Sequence, residues 1–145
     1  MATSTLWTDI QQAAQDTGGR FHAPPEDLAV RLQDIQGLVF DWDGVFNDGR
    51  KGPGVPSTYC EPDSMGLNML RYGLWRRQRR LPPVALISGA DNPAAIQLAQ
   101  RERLTAVYLG VQDKGLALAH FGADQGLRGE DLACAFDDIN DLAMA

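Results

Sequence analysis

Asp41 and Asp43 directly follow an apolar run in the segment GLVFDWDG, residues 37–44. Burying an unpaired carboxylate costs several kcal/mol, so acids at the end of a buried strand need a compensating partner. A second acidic group follows another apolar run near the end of the chain and consists of Asp137, Asp138 and Asp141. If folding brings the two groups together, their repulsion requires a cation among them. Oxygen ligands without His or Cys favour a hard ion, and Mg²⁺ is the usual one beside phosphate.

These acids, together with Ser88 and Lys114, could carry out phosphoryl transfer. An aspartate held at a metal ion can attack phosphorus and form an aspartyl-phosphate. A second carboxyl two residues away could protonate the leaving oxygen and later take a proton from the attacking water. Ser88 offers a hydroxyl and nearby backbone N–H groups to phosphoryl oxygens, and Lys114 offers a positive charge at the start of a helix. Positioning and charge neutralisation would then supply most of the catalysis.

The elements that must position these residues alternate between strand and helix. Short apolar runs predict four strands at residues 37–41, 83–88, 105–110 and 132–136. The helical patterns between them predict an α/β domain with a parallel sheet and right-handed crossovers. Polar or glycine residues lie at or just beyond the C-terminal end of each predicted strand: Asp41, Ser88, Gly110 and Asp137. Ligands bind at that edge of open α/β sheets, so we expect these residues to converge.

Further helices are predicted before and after the first strand. Residues 5–16 and 25–34 carry helical patterns, and the second begins with prolines and acids. Another helix is predicted to begin at a cap formed by Asp63 and Ser64. The Gly- and Pro-rich stretch 49–59 contains no helix and predicts either a hairpin or simply a loop.

Composition excludes several classes of protein. The 145 residues carry a formal net charge of −6 and an isoelectric point near 4.7, which argues against a nucleic-acid partner. No apolar run approaches the roughly 18 residues of a membrane span, and the N-terminus lacks the pattern of a signal peptide. Two cysteines, Cys60 and Cys134, without a CxxC motif predict a reduced, cytoplasmic protein whose cysteines pack in the fold.

Each chemical feature also has a structural explanation. Two acids in a DxD pattern are common in loops, Ser88 could belong to the first turn of a helix, and Lys114 could be a solvated side chain. The three late acids could favour the N-terminus of a final helix through its dipole. Their joint occurrence, in this order and at strand ends, favours the chemical interpretation.

The order of the motifs resembles the haloacid dehalogenase (HAD) superfamily, with DWDG as its first motif, Ser88 as the second, Lys114 as the third and DDIND as the fourth. Within that superfamily, residues 26–142 are similar to the capless phosphatases of 3-deoxy-D-manno-octulosonate 8-phosphate. The segments that carry this likeness are GLVFDWDGVFNDG, DSMGLNML, VALISGA and VYLGVQDKGLAL. The likeness extends to the phosphatase-like domain of some CMP-sialic acid synthetases.

The resemblance implies a Rossmann-like HAD fold: a parallel sheet, helices on both faces, and a minimal (C0-type) cap with residues 49–61 at the position of a hairpin. It implies an N-terminal helical extension, 1–24, and a phosphatase domain, 25–145, with a short C-terminal end. The implied activity is Mg²⁺-dependent hydrolysis of a small phosphorylated metabolite, similar to a sugar phosphate, through an aspartyl-phosphate.

The same resemblance assigns a role to each site residue. Asp41 is expected to be the nucleophile and Asp43 the general acid/base. The expected Mg²⁺ ligands are Asp41, the backbone carbonyl of Asp43, and Asp137. Ser88 and Lys114 are expected to contact the phosphoryl group, and the expected supporting residues are Asp138 and Asp141.

The sequence departs from the family pattern at three informative places. Pro62 and Ala90 stand where the family has arginines suited to an acidic sugar, and Phe136 stands where it has glycine. We therefore expect 3-deoxy-D-manno-octulosonate 8-phosphate to be a poor substrate. The departures also support an alternative function, a HAD-fold domain with weak or no catalysis that serves oligomerisation or regulation. By resemblance, a homotetramer is expected, in which a hairpin from one subunit closes a neighbour's site.

Overall fold

A parallel sheet forms the centre of the second of two units into which the chain divides. The structure is a computed structural model that describes residues 2–145. Its contacts separate a first unit, which ends at Ile35, from a second unit, Gln36–Ala145. The first unit contains helices α1 (Ala2–Asp16) and α2 (Pro25–Asp34), which correspond to the two predicted helices. The predicted domain boundary between residues 24 and 25 stays a prediction.

The sheet of the second unit has the predicted four strands. They are β1 (Gly37–Phe40), β2 (Val84–Ile87), β3 (Ala106–Tyr108) and β4 (Leu132–Ala135). The strand order is β3-β2-β1-β4, and every neighbouring pair is parallel. The α/β class and the parallel sheet are therefore confirmed, with β1 and the acids that follow it at a central position.

Both faces of the sheet are covered. Successive side chains on a strand point to opposite faces, and the neighbours Leu38 and Val39 are 4% and 0% exposed. On the face of Val39, Ile87 of β2 and Phe121 of the helix after β3 belong to one buried cluster. Phe136, the departure from the family glycine, packs against this cluster. That side chain therefore contributes to the core beneath the fourth motif.

The helices of the second unit are α3 (Glu61–Gln78), α4 (Pro93–Glu102) and α5 (Lys114–Gln125), with short 3₁₀ helices at Gly129–Asp131 and Ile139–Met144. The prediction that Asp63 and Ser64 cap α3 is wrong. Cys60 occupies the N-cap position without a side-chain hydrogen bond, and Pro62 lies in the first turn. Proline is favoured there because its missing N–H has no intrahelical partner to lose, so the helix begins before the predicted cap.

A long loop joins β1 to α3. Between these two elements the described chain forms turns and no strand, so the loop alternative holds for residues 49–59. Trp42 and Phe46 anchor the start of this loop, since both are fully buried and their rings stack with centroids 5.2 Å apart. At its end, the Cys60 N–H donates to the Phe46 carbonyl over 2.9 Å. Within residues 2–145, no helix is long and apolar enough to cross a membrane.

Candidate active site

All the predicted site residues line one pocket at the C-terminal edge of the sheet. The pocket has a volume of about 620 Å³. Asp41 follows the last residue of β1, Ser88 follows β2, and Asp137 lies just after β4. The complete set of predicted residues in its lining is Asp41, Asp43, Ser88, Lys114, Asp137, Asp138 and Asp141. The parallel topology therefore brings together residues that lie up to 100 positions apart in the sequence.

Lys114 lies between two buried carboxylates. It is the first residue of α5, a helix start that Asp113 caps by accepting a hydrogen bond from the Leu116 N–H over 3.1 Å. Its Nζ donates to Asp41 Oδ1 over 2.7 Å and forms an ion pair with Asp141 Oδ1. The lysine, Asp41 and Asp141 are 8%, 5% and 0% exposed. A solvated lysine, the structural alternative for this position, is excluded.

One lysine does not neutralise two carboxylates, and the titration of the cluster reflects this. Burial raises the pKa of Asp41, and although the hydrogen bond and charge of Lys114 oppose that effect, the nearby charge of Asp141 adds to it. Burial alone would lower the pKa of Lys114, but its hydrogen bonds to Asp141 and Asp41 raise that pKa above its ordinary value. Lys114 therefore stays charged, and its single positive charge faces two carboxyl groups.

Three acidic side chains around one lysine fit a divalent cation. Asp41, Asp137 and Asp141 each place a carboxylate oxygen within 4.8 Å of the others. Asp141 is fully buried, and apart from the ion pair with Lys114 neither of its oxygens has a hydrogen-bond partner in the described chain. Buried carboxylate oxygens without donors are costly unless a cation binds them. Asp141 was expected only as a supporting residue, but its side chain belongs to the group of possible metal ligands with Asp41 and Asp137. The side chain of Asp43 lies outside this group.

Gly44 leaves room for the Asp137 carboxylate. Its φ is +84°, a conformation that favours glycine. A Cβ built on Gly44 would overlap the carboxylate of Asp137. Gly44 is therefore required both by the turn after β1 and by the close approach of the Asp137 carboxylate.

The Asp43 carboxylate is held by the loop that follows it. Ser57 Oγ donates to its Oδ1 over 2.6 Å, and Asn47 Nδ2 donates to the same oxygen over 3.2 Å. Lys51 Nζ lies 3.3 Å from its Oδ2. Burial would raise the pKa of Asp43, but the hydrogen bonds from Ser57, Asn47 and Lys51 outweigh it and lower that pKa.

The Ser88 hydroxyl is also oriented. It accepts hydrogen bonds from Asn92 Nδ2 over 2.8 Å and from the Ala90 N–H over 3.3 Å. Ser88 and Asn92 are 2% and 5% exposed. Because both bonds use the oxygen as acceptor, the hydroxyl proton remains to donate to a ligand.

Asp138 has a structural role as well as a position at the pocket. Its side chain caps the 3₁₀ helix Ile139–Met144 and accepts from the Asn140 N–H over 3.3 Å and from Asn140 Nδ2 over 2.9 Å. These hydrogen bonds lower the pKa of Asp138. Asp138 therefore stabilises the start of the last helix, which is the structural explanation considered for Asp137, Asp138 and Asp141.

Sequence reasoning missed four residues of the site. Lys51 lines the pocket, and Asn47, Ser57 and Asn92 orient the predicted acids and serine. Only Lys51 could have been found from the sequence, because it is one of just two lysines and the other, Lys114, was already assigned to the site. The other three are common polar residues in loops, and the sequence gives them no distinguishing pattern.

Comparisons with known proteins find relatives among solved structures. No family model and no curated protein matches the chain. The chain is similar to the cobalt-bound deoxy-D-mannose-octulosonate 8-phosphate phosphatase of Haemophilus influenzae, with 25% identity, a TM-score of 0.65, and coverage of 78% of this chain and 64% of that one. A probable YrbI family phosphatase of Pseudomonas syringae matches with 29% identity, a TM-score of 0.69, and coverage of 82% and 66%.

A third structure places the likeness within a wider group of hydrolases. A putative HAD superfamily (subfamily III A) hydrolase of Legionella pneumophila matches with 26% identity, a TM-score of 0.67, and coverage of 82% of this chain and 64% of that one. The chain thus spans slightly less than two thirds of the length of these three structures, whose covered shares are 64%, 66% and 64%.

Proposed function

Given the HAD fold that this chain shares with those structures, we propose that it is a Mg²⁺-dependent phosphoric monoester hydrolase. Its substrate is a small phosphorylated metabolite of the sugar phosphate kind. The observation that carries the proposal is the buried cluster of Lys114 between Asp41 and Asp141, beside Asp137 at the edge of the sheet. Such a cluster costs stability in a purely structural domain, because apolar residues of similar volume would be cheaper to bury.

In the proposed reaction Asp41 is the nucleophile. One of its carboxylate oxygens attacks phosphorus, and the bond from phosphorus to the ester oxygen breaks. Asp43, in the minor protonated fraction that its lowered pKa leaves, gives its proton to that leaving oxygen. Asp43, now a carboxylate, takes a proton from water as the water oxygen attacks the phosphorus of the aspartyl-phosphate. The bond from phosphorus to Asp41 breaks, which releases inorganic phosphate and restores both acids.

Two other residues would bind the phosphoryl oxygens. Lys114 has three N–H donors, and two of them serve Asp41 and Asp141, so one remains for a phosphoryl oxygen. Ser88 has its hydroxyl proton available, because its oxygen already accepts from Asn92 and Ala90. Fixed donors of this kind lower the barrier by stabilising the charge that develops in the transition state.

Asp41, Asp137 and Asp141 would hold the metal ion. Their all-oxygen donor set suits Mg²⁺, and the neighbour from Haemophilus influenzae was solved in a cobalt-bound form. When bound, Mg²⁺ would neutralise the acids and polarise the phosphoryl oxygens.

The test is hydrolysis of a panel of phosphate esters with Mg²⁺ and then with EDTA. Wild-type protein should release phosphate only with the metal, and Asp41→Asn should lower kcat by several orders of magnitude while the melting curve stays that of a folded protein. If wild-type protein hydrolyses no ester, the alternative function, a HAD-fold domain for oligomerisation or regulation, replaces this one. Activity retained by Asp41→Asn would contradict the assigned nucleophile.

We also propose that the chain forms a homo-oligomer, the tetramer that the resemblance to the phosphatase family implies. Helix α3 exposes large apolar side chains: Met65, Met69, Leu70 and Tyr72 are 62%, 72%, 53% and 58% exposed. Clusters of exposed apolar residues typically mark interaction surfaces. Light scattering at micromolar concentration should give a mass above that of one chain, and a monomer would contradict the proposal. The cytoplasmic location predicted from the sequence stays a prediction.

A further inference from the structure

The loop between β1 and α3 supplies the contacts of the Asp43 carboxylate. In the described part of the chain its hydrogen bonds and ion pair come from Asn47, Lys51 and Ser57. Oδ1 receives both hydrogen bonds, while Oδ2 has only the ion pair with Lys51, whose side chain is 70% exposed. Oδ2 therefore has the fewer contacts and is the oxygen left for a ligand in the pocket.

Ser57 makes the closest contact of these three partners and is itself held by a buried ring. Its bond to Oδ1 is the shortest, at 2.6 Å. The indole Nε1 of Trp42 donates to Ser57 Oγ over 2.8 Å, and Trp42 is fully buried against Phe46. Asn47 is held by the backbone of the loop, since it also donates to the Thr58 carbonyl over 2.8 Å and accepts from the Gly44 and Gly49 N–H groups over 3.2 and 2.9 Å.

The direction of these hydrogen bonds is determined by their chemistry. An indole nitrogen can only donate, so Ser57 must use its oxygen as the acceptor towards Trp42. The single hydroxyl proton of Ser57 is then left for the Asp43 carboxylate. The chain Trp42 to Ser57 to Asp43 therefore has one arrangement of protons, and it starts from a ring that the core holds in place.

We propose that Ser57 is a positioning residue that fixes the Asp43 carboxylate so that Oδ2 exchanges the proton with the leaving oxygen and with water. The inference rests on the proposed phosphatase function and extends it to the loop. A general acid works only within hydrogen-bond reach of the oxygen that it protonates, and small displacements of a catalytic group lower rates steeply. A Gly- and Pro-rich loop needs an anchor to provide that accuracy, and Trp42 supplies it.

The experiment compares Ser57→Ala with Ser57→Thr, which keeps the hydroxyl, and with Trp42→Phe, which keeps a ring but removes the indole N–H. The kcat/KM of each variant is measured for an alkyl phosphate such as mannose 6-phosphate and for p-nitrophenyl phosphate. The alkoxide leaving group needs a proton, whereas nitrophenolate leaves without one. Thermal melts establish which variants are folded.

For Ser57→Ala we expect kcat/KM for mannose 6-phosphate to fall about 10- to 100-fold, the equivalent of one charge-assisted hydrogen bond. The loss for p-nitrophenyl phosphate should be smaller. Ser57→Thr should restore most of the activity, and Trp42→Phe should lose less than Ser57→Ala.

Two results would overturn the inference while the proposed function stands: unchanged kcat/KM in Ser57→Ala, or equal losses on both esters that Ser57→Thr does not restore. If Ser57→Ala does not fold, Trp42→Phe takes its place: a larger loss of kcat/KM for mannose 6-phosphate than for p-nitrophenyl phosphate supports the inference, and equal or no losses overturn it. Wild-type protein that is inactive on these two esters and on every other ester of the panel would refute the proposed function and, with it, this role of Ser57.

Discussion

Replacing Lys114 with methionine removes the positive charge that lies between two buried carboxylates while keeping most of the side chain's volume. Lys114, Asp41 and Asp141 have side-chain exposures of 9%, 7% and 0%, so water from the pocket would replace the lost ion pairs only in part. Removing one partner of a buried ion pair typically costs about 3–5 kcal/mol, because the remaining charge is left uncompensated. In EDTA, the free energy of unfolding of Lys114→Met should therefore fall by about that amount.

Mg²⁺ should offset part of this loss. The variant leaves two unneutralised acids beside Asp137, so the cation that these three acids would bind gains a more negative site. A ligand that binds only the folded state stabilises it according to its concentration and affinity. We therefore expect millimolar Mg²⁺ to raise the melting temperature of Lys114→Met by more than it raises that of the wild type.

The sequence offers a matched control. Lys51→Met makes the same chemical change at the other lysine of the pocket, whose side chain is 70% exposed. Exposed ion pairs contribute about 0–1 kcal/mol, so Lys51→Met should melt close to the wild type. In a chain of this size 1 kcal/mol corresponds to about 2–4 °C, so Lys114→Met should melt roughly 6–20 °C lower in EDTA.

The assay is thermal and urea unfolding of the three proteins, with EDTA and with MgCl₂. The reasoning is refuted if Lys114→Met is as stable as Lys51→Met in EDTA. If Lys114→Met is destabilised but Mg²⁺ acts equally on all three proteins, the carboxylates are buried as described and do not form the metal site.

Three other predictions concern the metal site, acid stability and the substrate. Gly44→Ala should weaken Mg²⁺ binding in a calorimetric titration, because its Cβ would overlap the carboxylate of Asp137, a proposed metal ligand. Gly54→Ala, with φ +75° and open space around it, controls for backbone strain. Burial would raise the pKa of Glu102, but hydrogen bonds from Asn68 and Arg101 lower that pKa in the folded protein. The stability that this carboxylate contributes is therefore present above its unfolded pKa of about 4.3 and is lost as the pH falls below that value. Urea unfolding should thus show a smaller loss between pH 5 and pH 3 for Glu102→Gln than for the wild type. Finally, no arginine lines the described pocket, so kcat/KM for mannose 6-phosphate should exceed that for 3-deoxy-D-manno-octulosonate 8-phosphate, and a tenfold preference for the acidic sugar would contradict this.

The sequence predicted part of the substrate specificity, because Pro62 and Ala90 stand where the family has arginines. Ala90 lines the pocket as a small apolar residue. Arg71 of α3 donates to Asn68 and to the Glu102 carbonyl, over 3.0 Å in each case, and it does not line this pocket. Lys51 is the remaining cation beside Lys114 in this lining, and its ion pair with Asp43 could be read only from the folded loop.

The sequence by itself determined which residues would meet. Strands and helices form where local hydrophobic periodicity favours them, and a parallel sheet places the end of every strand at one edge. Asp41, Ser88 and Asp137 follow three strand ends, so their convergence needed no tertiary information. The beginning of α5 at Lys114 was likewise visible in the helical pattern that follows it.

Only the tertiary structure decided how these residues are paired. Lys114 bonds Asp41 across 73 positions of sequence and also contacts Asp141, a choice that depends on which buried groups lie within reach after packing. The partners of Asp43 come from a loop in which Gly and Pro leave no periodic pattern to dictate a conformation. Its path is set by the burial of Trp42 and Phe46, because the free energy of that loop is determined by its contacts with the core more than by its own propensities.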